Sequence, residues 1–396
     1  MIHTLITISL SLLLIAATYP NMDDYWQSPS ATASNHDWSE LEKNMRPEAC
    51  AQCHEAQFDA WKHSRHSKAF SPGLIGQFPN MGHMQGNDCL RCHAPLSEQL
   101  FDGDKDMMSS LKTLRKHPTG VNQQADLDSA QAKLPLRHAG VTCAVCHVRN
   151  GNRFGPPRKG SNTLGHINTE THGGFTVLKQ FEQSGFCAEC HQFPQDYAIN
   201  GKPLENTVFE WQQSRFAKQG NAEKQCQGCH MPDRKHAFKG IHDKAFTLSG
   251  LDIQASLHHG LPQLKITSKN IGHAFPTYVT PKIWVTAQAL NKQGKTIKTW
   301  HWNIVREVFF DDGWEEKQDS RIMPGESRLF AVKQVPEHAV SVAYRVRVIP
   351  DNFYKGVYQS LLDSTLQDDA RALIQRALDE ANQNDYTLFS TSIALE

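Results

Sequence analysis

The sequence predicts a mainly α, loop-rich region, then an all-β sandwich of immunoglobulin-like type, closed by a C-terminal helix. Three observations predict it. The pattern Cys-x-x-Cys-His occurs five times between residues 50 and 230. Between residues 261 and 350 apolar side chains recur at every second position, the period of a half-buried strand. From 354 to 381 they recur at helical spacing.

The five motifs are Cys50/Cys53/His54, Cys89/Cys92/His93, Cys143/Cys146/His147, Cys187/Cys190/His191 and Cys226/Cys229/His230, and they use all ten cysteines. This spacing attaches a c-type haem: two thiols bond the vinyl groups and the next His ligates the iron. A zinc ribbon uses paired Cys-x-x-Cys but does not demand a His after each second Cys. A thioredoxin-like pair occurs once, and a disulfide framework does not repeat one tight loop. Five c-type haems are therefore expected, with His54, His93, His147, His191 and His230 as proximal ligands.

Composition agrees. With 41 basic and 41 acidic residues the chain carries no nucleic-acid footprint. Only 39% of the 396 residues are apolar, and few of them form long runs before residue 250. So polar a segment cannot build a large core from side chains, and haem macrocycles supply the missing apolar surface.

Residues 5–17 form one apolar run ending in Ala16 and Ala17. It is too short to span a bilayer comfortably and reads as a secretory h-region with its cleavage site, although the preceding residues lack Lys and Arg. Export to the periplasm or the cell exterior is expected, with the mature chain peripheral to a membrane at most. The predicted organisation is a signal peptide over 1–20, a pentahaem domain over 21–250, a β-sandwich over 261–350 and a helical tail over 351–396.

Successive motifs are offset by 39, 54, 44 and 39 residues, too irregular for a solenoid but dense enough to make the haems close neighbours. Short helices are expected to carry the motifs, and Gly- and Pro-rich stretches such as 149–160 read as loops. A faint repeat follows the first and fourth motifs: Trp61-x-x-Ser64-Arg65-His66 and Trp211-x-x-Ser214-Arg215-Phe216. In the β region Ile283, Val285, Ala287 and Ala289 alternate, as do Val342, Tyr344, Val346 and Val348. Turn signals at 291–294, 311–313 and 324–325 bound roughly seven strands.

The distal ligands decide the chemistry, because a second His gives a low-spin relay haem and an open face gives a reactive site. Of 21 His, five are proximal and one lies in the apolar leader, which leaves fifteen. His66 follows the first motif, His138 and His172 precede the third and fourth, and His236 and His242 follow the fifth. His273 sits at the start of the β region.

The stretch from Cys50 to Ala69, CxxCH then W-x-x-S-x-H-x-x-A, resembles the opening signature of the multihaem superfamily of hydroxylamine oxidoreductase and its tetrahaem partner. Gly140-Val141-Thr142-Cys143 is similar to a later haem lead of that superfamily. The runs at Cys226, His236 and His273 look like multihaem cytochromes that carry a C-terminal β-sandwich. The resemblance spans residues 48 to 285 in patches. It implies His66, His242 and His273 as the first distal candidates, followed by His138, His172, His236 and His83. There are departures: the haems are fewer, no Cys-x-x-Cys-Lys occurs, and no counterpart of the crosslinking tyrosine is evident.

Three readings follow. The first is an exported pentahaem relay serving redox partners, either other cytochromes or quinol-linked donors. The second is an oxidoreductase with one open haem acting on a small nitrogen or sulfur species. The third is a homo-oligomeric subunit of an extracellular cytochrome filament.

Overall fold

A computed structural model describes residues 31–33, 35–117, 126–218 and 224–395. The predicted signal peptide lies outside the described residues. Among them, no helix is long and apolar enough to cross a membrane.

Short helices carry the motifs, as expected. The His is the last residue of Gly82–His93, Cys143–His147, Gly185–His191 and Cys226–His230. One helical turn sets Cys, Cys and His at i, i+3 and i+4, neighbouring positions on one face. The first motif differs: Pro47–Ala51 ends inside it, and His54 caps the next helix, Glu55–Trp61.

In the first region helices outnumber short strands, and the chain as a whole is mixed α and β. Strands β1 (Val148–Arg149), β2 (Asn152–Gly155), β3 (Gly165–Ile167) and β4 (Phe175–Val177) form one sheet, ordered β1-β2-β4-β3. A second hairpin pairs β5 (Ala198–Ile199) with β6 (Lys202–Pro203). Both were expected as loop. Their strands are too short for alternation to show, but the turns are legible: Asn150-Gly151 and Asn200-Gly201 all have positive φ. That is the two-residue turn whose twist matches an antiparallel pair.

The β region begins ten residues before the expected boundary, at β7 (Leu251–His258), which turns through His259-Gly260 into β8 (Leu261–Ser268). There follow β9 (Lys282–Leu290), β10 (Thr296–Ile304), β11 (Arg306–Phe310), β12 (Trp314–Asp319), β13 (Ser327–Ala331) and β14 (Ser341–Ile349). One antiparallel sheet runs β13-β8-β7; another contains β10-β9-β14. Leu264, Ile266 and Phe330 from the first share a buried core with Ile283, Val285, Val342 and Val346 from the second. Trp300 and Trp302 pack against it, Trp302 edge-on to Phe330 at 5.8 Å.

The tail is two helices and a strand rather than one helix. Asn352–Leu362 and Asp368–Gln383 are separated where the Gln367 side chain caps the second helix by accepting the Ala370 N–H. Asp368 and Asp369 complement that helix's N-terminal dipole. Ala370 and Leu373 pack into the cluster around Phe70, Phe78 and Leu111, and Asp369 pairs with Arg115 at 2.7 Å. The last segment, β15 (Tyr386–Ala394), completes the sheet β10-β9-β14-β15. Its Thr, Phe and Ile side chains favour a pleated surface.

A buried ion-pair network clasps the haem-motif region to the β region. Arg321 bonds Glu210 at 2.7 Å and Asp319 at 2.9 Å. Arg306, fully buried, pairs with Glu316 at 2.8 Å and donates to the carbonyls of Ile199, Lys202 and Pro203. Removing one member of such a pair strands the other charge, at a cost of about 3–5 kcal/mol. Arg306→Ala is accordingly expected to lower the unfolding free energy of the haem-loaded protein by about that amount in a denaturant titration.

Candidate functional site

All ten cysteines are unbridged. They are nonetheless clustered: the Cys50 thiol contacts Cys143, Cys92 contacts Cys190, and Cys187 contacts Cys226. Cys146 lies near enough to Cys187 and Cys190 to help raise their pKa, after the larger effects of thiol contact and burial. The motifs therefore run first–third–fourth–fifth, and the second branches from the fourth. One continuous cavity of about 2940 Å³ touches all five. That is several times an ordinary ligand pocket of roughly 300–1,000 Å³.

Segment docking explains the signature residues. Trp61 donates its indole N–H to the Val141 carbonyl at 2.8 Å, and the His66 carbonyl accepts the Val141 N–H at 3.0 Å. Gly140 has φ +64°, and a Cβ there would lie 2.6 Å from the His66 oxygen, so glycine is required before Val141. The second repeat docks alike: Trp211 donates to the Lys224 carbonyl at 2.9 Å. Each Trp thus grips the residue two before the first Cys of a later motif.

Four proximal His face a second imidazole. Ring centroids are 6.2 Å apart for His54 and His172, 6.3 Å for His191 and His66, 6.2 Å for His147 and His236, and 6.3 Å for His230 and His273. Two metal–nitrogen bonds of about 2 Å, with the ring radius added at each end, give the same separation. The ring planes are nearly parallel for His54/His172 (18°) and His230/His273 (14°), and inclined for His191/His66 (44°) and His147/His236 (37°).

Backbone carbonyls orient several of these rings. His147 donates Nδ1–H to Phe154 O at 2.8 Å, His230 to Lys239 O at 2.6 Å, His236 to Arg234 O at 2.9 Å and His273 to Ala274 O at 2.9 Å. This leaves each Nε2 as the lone-pair nitrogen, the tautomer a metal needs. Burial, with the neighbouring His rings adding to it, lowers His66 to about 3 and His191 to about 4. Burial likewise lowers His147 to about 4, so these rings are neutral at pH 7. The side chains therefore fit covalent haem with iron ligated from both faces.

His66, His172, His236 and His273 are thus brought to proximal partners; His242, His138 and His83 are not. His242 lines the cavity but turns Nε2 to Asp351 Oδ1 at 3.0 Å. His138 is buried against Phe70, centroids 4.9 Å apart, with neither ring nitrogen bonded. His83 pairs with Asp104 at 2.9 Å.

His93 is the exception among the proximal rings. Its Nδ1 meets Ala69 O at 3.0 Å, yet among the described residues no His ring stands opposite it. The second motif instead borders a phenol-rich wall. Tyr354, near Cys89, stacks on Tyr358 at 5.7 Å, and Tyr278 shares the electrostatic neighbourhood of Tyr354, Asp351 and Arg65. Arg65 approaches Asp351 at 3.7 Å, and Asn384 donates to its other oxygen at 2.6 Å. Nothing in the sequence pattern singled out these tyrosines, because Tyr278 and the helix carrying Tyr354 and Tyr358 are distant in the chain.

A family described as outer membrane cytochrome MtrC/MtrF-like, domains II/IV, matches residues 76–243, which hold the second to fifth motifs. A solved penta-heme cytochrome c552 from Thermochromatium tepidum superposes with a TM-score of 0.57 at 16% identity, covering 90% of this chain and 100% of that one. No curated protein matches the chain. Motifs, ring geometry and fold define the class: a multihaem c-type cytochrome, an electron-transfer protein holding several c-type haems.

Glu205 lines the same cavity, and burial raises its carboxyl to about 8 from 4.5 despite a hydrogen bond from Thr207. An acid raised in the folded state contributes stability that is complete below its unfolded pKa and is lost as pH rises through the folded value. Glu205 is expected to pull the unfolding free energy down between about pH 4.5 and 8, against the opposite pull of buried His66, His147 and His191 below about pH 6.5. The downward pull should be absent in Glu205→Gln, measured by urea titrations across that range.

Proposed function

We propose an exported pentahaem cytochrome in which four haems relay electrons and the second, held by Cys89, Cys92 and His93, is open to a small nitrogen or sulfur species. The observation that carries this reading is the ring census: four imidazole pairs at 6.2 to 6.3 Å and, among the described residues, His93 with no His ring opposite. When bound, the haems supply one-electron iron redox chemistry. His54/His172, His147/His236, His191/His66 and His230/His273 would hold four of the haems. His93 would hold the fifth, and Arg65, His242 and the three tyrosines line the cavity it would share.

The filament reading needs the open face to lie at a subunit interface. Here the second motif shares its cavity with Arg65, His242 and the three tyrosines of the same chain, which favours the oxidoreductase. The two β sheets read as an immunoglobulin-like sandwich that contributes His273 and Tyr278. Kinship with the hydroxylamine oxidoreductase superfamily, a periplasmic or extracellular site and protein redox partners belong to the same reading.

The test is electron paramagnetic resonance of the oxidised protein, after a pyridine haemochrome assay expected to give five haems per chain. One high-spin ferric haem that changes with nitrite, hydroxylamine or sulfite is expected, beside four low-spin haems that do not. His273→Ala should add a second high-spin haem. Five low-spin haems, indifferent to those ligands, would overturn the open site and leave a pure relay.

A further inference from the structure

The carboxylate of Glu42 ties three things together. Its Oε2 accepts the Ser39 N–H at 2.9 Å and the Ser39 hydroxyl at 2.8 Å, capping the helix Glu40–Lys43. Its Oε1 accepts the His172 backbone N–H at 2.7 Å. The same Oε1 lies 3.1 Å from His172 Nδ1, off the ring N–H direction, so charge rather than a straight hydrogen bond links them.

His172 needs this grip. Its φ is +64°, a left-handed conformation costly for a residue with a Cβ, and Gly173 and Gly174 follow with φ +60° and +114°. Trp38 donates its indole N–H to the His172 carbonyl at 2.7 Å, and the Arg153 guanidinium stacks on Trp38 at 4.4 Å. The turn therefore presents the His172 ring to His54 from a shell that ends in a carboxylate.

No other ring of the four pairs has a carboxylate at Nδ1 among the described residues. His147, His230, His236 and His273 use neutral backbone carbonyls. A carboxylate beside a ligating imidazole makes the ring a stronger donor to the metal and stabilises the oxidised, more positive state. Arg153 acts in the opposite sense. It lies near both Cys50 and Cys143, however, and so bears on the first and third haems together.

We propose that Glu42 holds the haem at Cys50/Cys53 at a lower reduction potential than the three other doubly ligated haems. That haem then has the weakest hold on an electron and passes it inward to the third. Glu42 is a positioning residue, acting through His172. The inference rests on the ligand pairing proposed above.

The test is Glu42→Gln in the haem-loaded protein. Glutamine keeps the side-chain length and an oxygen for the His172 backbone N–H; it removes the charge and, with its amide nitrogen in place of Oε2, the acceptor of the Ser39 N–H. Spectroelectrochemical titration is expected to show one haem of the five shifting to higher potential, the others holding, with that haem still low-spin. His172→Ala separates the two claims. If it fails to make one haem high-spin, the His54/His172 pairing itself falls. If it does so while Glu42→Gln shifts no potential, or shifts several equally, the pairing stands and the role of Glu42 is overturned.

Discussion

Two imidazoles must face each other across the width of one iron atom, and most of the fold serves that spacing. A single helical turn presents a proximal His beside its two cysteines, so that half is local. The facing ring is not local in any of the four pairs. His66 crosses from the first motif to His191 of the fourth. His172 returns from beyond the third motif to His54 of the first, and His273 arrives from between β8 and β9 to meet His230. Each crossing pins two distant segments, which is how a region so poor in side-chain core can hold one arrangement. The Arg321–Glu210 and Arg306–Glu316 pairs keep the His273 segment in place from the β side.

The repeat after the first and fourth motifs gains meaning from the docking of its tryptophans. Trp61 grips the lead into the third motif and Trp211 the lead into the fifth. The same couples of motifs have touching thiols, Cys50 with Cys143 and Cys187 with Cys226. The chain thus contains two like units, each a motif, a W-x-x-S-R turn and a second motif. They differ at one position: His66 in the first unit reaches into the second, whereas Phe216 packs near Gly272 beside His273. The second motif lies inside the first unit with no counterpart in the other. On the proposed reading, the two units form the relay and the inserted motif carries the open haem.

Much of this was legible in the sequence. The motifs named the proximal residues, because covalent attachment imposes a strict local spacing. The alternation from Ile283 to Ala289 and from Val342 to Val348 named strands that do carry the β core. The short hairpins β1–β2 and β5–β6 were missed through weighting Gly and Pro as loop markers, although Asn-Gly at 150 and 200 signals a hairpin turn. The tail strand β15 was missed because helical spacing before it dominated the window. Distal ligands were the least legible. His172 and His242 look alike in the sequence, each in a polar stretch near a motif. Only tertiary placement turns the first toward His54 and the second toward Asp351.

That difference at His242 bears most directly on the second haem. The ring lines the cavity, but Nε2, the atom that would ligate, is held by Asp351. Asp351 is in turn bonded by Asn384 from the end of the tail helix Asp368–Gln383. Tyr354 and Tyr358 project from the helix Asn352–Leu362, which starts one residue after Asp351. The tail therefore does more than pack against the cytochrome region. It restrains an imidazole that lines the cavity and adds phenols to the same wall, hydroxyls that donate and accept hydrogen bonds. On the proposed reading, holding His242 back through Asp351 and Asn384 keeps the small-molecule site free of a competing imidazole.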